Sequence, residues 1–128
     1  MKRLGLATVV VRNYDEAIAF YVEKLGFSLV EDTDLGGGRR WVRVSPGAGA
    51  DILLAEAKNE AERSAIGNQC GGRVFMFLET SDFARDHETF SKMGVRFRDE
   101  PRHETYGTVA VFEDLYGNLF DLIEFKRR

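Results

Sequence analysis

Cysteine, histidine and proline are scarce in this chain: one Cys, two His and two Pro in 128 residues. A single thiol, Cys70, forbids an internal disulfide and any cysteine-built zinc site. His87 and His103 leave few nitrogen ligands for a transition metal. Positive charge is not in excess: 18 Lys+Arg against 21 Asp+Glu give a net charge of −3. No positive field therefore gathers to hold nucleic acid, and the one basic cluster, KRR at 126–128, reads as a solvated tail. No apolar run is long enough to span a bilayer. The opening MKRLGLATVVV mimics a short signal peptide, but it breaks off at RNYDE without a small-residue cleavage site and reads as a first strand. These absences predict a cytoplasmic chain with no nucleic-acid or membrane partner.

The hydrophobic share, 44%, suffices for a core, and the length suits a single domain over 1–128. An internal repeat organises it. In the first half an apolar strand leads into RNYDEAIAFYVEKLGF, where Asn13 and Glu16 have capping-box spacing and Gly26 marks a helix end. In the second half VFMFLET, residues 74–80, leads into Ser81 and Asp82 as caps, and the helix runs to Gly94. FSLVED after Gly26 then matches VRFRDE after Gly94, RRWVRVSP matches GTVAVFED, and ADILLAE matches NLFDLIE, at an offset of 68 or 69 residues. Each unit reads strand, helix, strand, strand, strand. The prediction is an α+β fold of two tandem βαβββ modules, 1–56 and 73–128, forming a curved mixed-sheet cup with helices on the convex face. The linker 57–72 is expected to hold a short helix capped near Asn59 and a glycine-rich crossover.

Alternation of side chains along strands sorts the two faces of each sheet. Val42 and Val44, Ala7, Val9 and Val11, and Phe120 and Leu122 fall on the face their helix covers. Arg39, Trp41 and Arg43, Leu6, Thr8 and Val10, and Asp121 and Ile123 fall on the other, whose mixed character suits a small-molecule ligand. A single bulge would invert this parity locally. Asp121 stands out, because a carboxylate in an otherwise apolar strand costs several kcal/mol unless it is paired or coordinated.

DEAIAFYVEKLGF near the start and VFEDLYGNLFDLIEF at the end resemble the vicinal oxygen chelate superfamily, which holds glyoxalase I, extradiol dioxygenases, fosfomycin-resistance thiol transferases and bleomycin-resistance proteins. AIGNQCGGRVFMFLETSDF and EPRHETYGTVAVFEDLYGN resemble its glyoxalase-like branch, and the likeness covers essentially the whole chain. In metal-using members the ligands are His, Glu or Gln on the first and last strands of each half. The resemblance places those positions at Leu6, Leu53, Phe75 and Asp121, with Arg73 in place of Phe75 if the alignment slips. One carboxylate among hydrocarbon side chains does not hold a divalent ion. The resemblance further implies a homodimer.

The expected function is metal-independent binding of a small organic ligand with no cofactor. The ligand positions are Leu6, Thr8, Trp41, Arg43, Leu53, Phe75, Phe77, His103, Tyr106 and Asp121. Asp121 is either a pocket acid or general base, or a structural acid paired with Arg43 or Arg73. Trp41, Phe75 and Phe77 would stack on a planar ligand or fill core, and Arg43 and Arg39 would clamp an anion or sit on the surface. His103 and Tyr106 belong to a turn near the rim, Glu79 to a solvated strand end, and His87 to a packed or boundary helix face. Cys70 reads as a small buried residue, and LGGGRR at 35–40 as a hairpin tip. The alternative is a divalent-metal lyase, isomerase or dioxygenase with non-standard ligands such as Glu79, His103 and Asp121.

Overall fold

The computed structural model describes residues 1–127; Arg128, the last of the basic cluster, lies outside them, while Lys126 and Arg127 are exposed. The chain gathers into two compact units, Met1–Gly67 and a second beginning at Asn68. That division falls inside the stretch 57–72. Among the described residues no helix is long and apolar enough to cross a membrane.

The first unit runs β1 (Leu6–Val11), α1 (Tyr14–Ala19), a π-helical turn (Phe20–Lys24), β2 (Ser28–Gly36), β3 (Arg39–Ser45), β4 (Asp51–Glu56) and α2 (Glu60–Ala65). Its sheet has the order β1-β4-β3-β2, with β1 parallel to β4 and the other pairs antiparallel. Asn13 caps α1 by accepting from the Glu16 N–H at 2.9 Å, and Glu56 Oε2, at the end of β4, takes the Tyr14 N–H at 3.1 Å. The helix then widens into the π turn before Gly26, whose positive φ of 74° a side chain would resist. Asn59 caps α2 through the Glu62 N–H at 2.8 Å, and Glu62 Oε1 accepts from Lys58 N in return.

The second unit runs β5 (Val74–Glu79), α3 (Phe83–Lys92), β6 (Arg102–Glu104), β7 (Gly107–Glu113) and β8 (Leu119–Phe125), in the order β5-β8-β7-β6. Together the units give the expected α+β repeat, with the same strand order and one parallel pair in each. Glu124 Oε1, at the end of β8, accepts the Phe83 N–H at 2.7 Å. It is the counterpart of Glu56. The turn DLYGN is tied down by buried Asp114, whose Oδ1 accepts from Tyr116 N and Asn118 N and whose Oδ2 accepts from Asn118 Nδ2.

Each sheet has one face with a buried apolar row. In the first unit it carries Val9, Val11, Val42, Val44, Ile52 and Leu54, buried along with Tyr14, Ala17, Phe20 and Tyr21. In the second it carries Phe112, Phe120 and Leu122; the Phe112 and Phe120 rings stack 5.0 Å apart, and Phe90 of α3 meets Phe112 edge-on at 5.4 Å. Half-buried His87 packs between Phe83 and Phe97 as its helix position predicts.

Four expectations change. Ala7 is exposed, because the buried row of β1 begins only at Val9. VRFRDE is not a strand: β6 starts at Arg102, and Phe97 makes an isolated bridge to Phe112. There the Asp99 side chain takes the Val111 N–H that a backbone carbonyl would otherwise receive, and Pro101 has no N–H to offer. Cys70 is exposed, since it lies in a turn leading into Gly71 and Gly72 at positive φ. Phe75 sits at a register irregularity between Val74 and Met76, which removes it from the alternation that Phe77 keeps.

Candidate functional site

Strand pairing lines up side chains across each sheet on the face opposite the buried row. In the first unit Thr8 pairs with Leu53, Leu53 with Arg43, and Arg43 with Glu31. In the second Phe77 pairs with Asp121 and Asp121 with Val111, whose N–H reaches Asp99 Oδ1 at 2.8 Å. The two rows are equivalent under the repeat, so Asp121 stands where the first unit has Leu53.

Asp121 is half-buried, and its Oδ1 is a fully buried acceptor with no hydrogen-bond partner. Burial pushes its carboxyl above the usual Asp range; the Arg102 guanidinium pulls it back, and Asp99 adds to the rise. The next row, Val109 and Ile123, is buried and apolar, which accounts for the desolvation. Arg102 is already engaged, with Asp99 Oδ2 at 2.9 Å and Glu104 Oε1 at 3.2 Å. Beside Asp121 on the edge strand, the Phe77 ring is 64% exposed, an unusual state for so large an apolar group. A half-buried carboxyl with an unsatisfied acceptor beside an exposed aromatic face can hold a polar group attached to a flat ring by turning that oxygen toward it.

Asp121 is not paired with Arg43 or Arg73. Arg43 Nη2 donates instead to Asp51 Oδ2 at 2.7 Å, an ion pair that holds the Asp51 carboxyl below its ordinary range. Arg43 Nε is, with Asp121 Oδ1, the other buried side-chain polar atom among the described residues that lacks a partner. Trp41, two residues along β3, is half-buried on the same face, and Arg39 is exposed. Leu6 and Leu53 are half-buried and Thr8 is exposed. The half-buried Phe75 ring lies edge-on to Phe120 at 5.1 Å. His103 is exposed, its Nδ1 3.3 Å from Thr108 Oγ1. Tyr106 is exposed in the turn before Gly107, its ring 6.5 Å from that of Phe125, and Glu79 is exposed at its strand end.

Glu31 ends the first row, Asp99 meets the second through the Val111 N–H, and Asp51 and Arg102 engage Arg43 and Asp99 from adjoining rows; none of the four was singled out from sequence. The repeat offset was the available signal: it maps Glu31 onto Asp99.

A divalent-metal centre does not fit the four positions that the superfamily resemblance implies. Leu6, Leu53 and Phe75 have no lone pair to give, and among the described residues no group of three or more His, Cys, Asp or Glu side chains could hold an ion.

Comparison with known proteins agrees with this architecture. An uncharacterised protein of Shewanella frigidimarina is 53% identical over 119 residues, covering 91% of this chain and 88% of its own. The crystal structure of UcmS2 superposes with a TM-score of 0.83 at 32% identity, covering 96% of this chain and 98% of that one. TnmS3, an antibiotic binding protein from Streptomyces sp. CB03234, superposes with a TM-score of 0.79 at 28% identity, covering 98% of each chain. A family model matches residues 3–122, and the chain belongs to the Glyoxalase/Bleomycin resistance protein/Dioxygenase superfamily.

Proposed function

We propose that this protein binds a small organic molecule without a metal ion, with Asp121 as the polar contact and Phe77 as the aromatic one. The observation that carries this reading is the buried, unpartnered Oδ1 of Asp121 on the face opposite the core row. A structural carboxylate would be matched by a cation or by backbone N–H groups; this one is left with hydrogen-bonding capacity to spare. The likeness to TnmS3, itself an antibiotic binding protein, supports a sequestering role over a catalytic one. Trp41, Arg43, Leu6, Thr8 and Leu53 form the corresponding ligand face of the first unit, while His103 and Tyr106 border that of the second. The working state is a cytoplasmic homodimer, with neither nucleic acid nor membrane as partner.

A thermal-shift screen in chelator-containing buffer, across thiol conjugates, catechols and planar antibiotics, tests the reading. A binder raises the melting temperature in proportion to ligand excess over Kd. Stabilisation that persists in chelator and disappears in Asp121→Asn supports it. Stabilisation that requires added divalent metal overturns it in favour of a metal-dependent lyase, isomerase or dioxygenase.

A further inference from the structure

We infer that the first unit carries a subsite of its own, in which Arg43 reads a neutral acceptor oxygen on a planar aromatic ligand. This rests on the small-molecule reading above and specifies the chemistry of the first unit's face.

An arginine offers five N–H donors. Arg43 uses one on Asp51, and its buried Nε donates to nothing. The side chain as a whole is 33% exposed, and a ligand reaches Nε–H when the guanidinium turns about the Nη2 contact that Asp51 keeps. Asp51 fixes the head group from one flank. Trp41 lies two residues along the same strand face, within reach of a ring whose substituent meets Arg43.

Charge selects the kind of oxygen. Arg43 is already neutralised by Asp51 at 2.7 Å, and Glu31 faces it from β2 in the strand register. A carboxylate arriving here would meet two anions around one cation. A ketone or amide carbonyl accepts the same hydrogen bond without that repulsion, and a guanidinium donor strengthens it. The second unit presents the opposite polarity at the equivalent row, where an acid stands beside Phe77 and Val111 replaces Arg43.

Three naphthalenes of similar shape test this: 1-acetonaphthone, 1-naphthoate and 1-ethylnaphthalene. Each is titrated into the full-length protein while the Arg43 Nε–Hε and Trp41 indole N–H signals are followed by NMR. The expected result is a saturable downfield shift of Arg43 Hε with acetonaphthone, binding at least about tenfold weaker with naphthoate (about 1.4 kcal/mol), and no Hε shift with ethylnaphthalene. Arg43→Lys, which keeps the charge opposite Asp51 but loses Nε, should abolish the acetonaphthone response at Trp41. Naphthoate binding as tightly as acetonaphthone at Arg43 overturns the inference. Shifts confined to Phe77 and Val111 overturn it too, yet leave the Asp121 reading standing. Silence throughout the spectrum with all three probes overturns the inference, and the Asp121 reading is then judged by its own chelator screen.

Discussion

At the scale of single residues, Asp121 separates a binding role from a structural one. Replacing a buried ion-pair member strands its partner and costs about 3 kcal/mol, but Asp121 has no such partner: Arg43 belongs to Asp51. Asp121→Asn should therefore abolish ligand-induced stabilisation without destabilising the unliganded protein, as read by chemical denaturation with and without ligand. The raised carboxyl also fixes a pH dependence. The native state holds the Asp121 proton more tightly than the unfolded chain, so its contribution is fully present below the unfolded value near 3.9 and is lost as pH rises through the native one. The Asn variant should gain stability relative to the parent as pH climbs through that window; a gain on acidification instead would contradict the assignment. A lone carboxylate inside an apolar strand was legible from sequence. That it lacks a partner was not, because Asp51 takes Arg43 across the β3–β4 ladder, and Arg43 and Arg73 were equally plausible on paper.

At the scale of elements, the two halves are closed by matching devices. Glu56 and Glu124 each accept the first helical N–H of their own unit from the end of the last strand. Glu124→Ala should cost about 1–2 kcal/mol in urea unfolding, the usual worth of a charged cap, without altering ligand affinity. Gly107 is held more strictly. A Cβ there would lie 2.2 Å from the Glu124 carbonyl oxygen, backbone that cannot move aside while β7 and β8 stay paired. Gly107→Ala should destabilise by at least about 2 kcal/mol through overpacking and strain; a neutral result would mean that this end of the ladder is open in solution. Helices and most strands were readable because Asn13, Asn59, Gly26 and Gly94 punctuate the chain and apolar alternation is regular. The break at residues 95–101 and the bulge at Phe75 were not. Alternation assumes an unbroken ladder, whereas at Asp99 a side chain substitutes for a backbone acceptor and at Phe75 the register slips.

At the scale of the whole molecule, the repeat gives each unit the same strand order and an equivalent polar row, filled with different chemistry. The first row carries Leu53 and Arg43 where the second carries Asp121 and Val111. The superfamily's metal-using members place donors on the first and last strands of both halves; here three of those four positions are hydrocarbon. The two units share the frame and differ in what it presents. The most direct measurement is elemental analysis of the purified protein, dialysed without chelator, against protein concentration. Only traces of zinc, nickel, iron and manganese are predicted, far below one ion per chain. One tightly held ion per chain, surviving dialysis and lost in Asp121→Asn, would contradict the account.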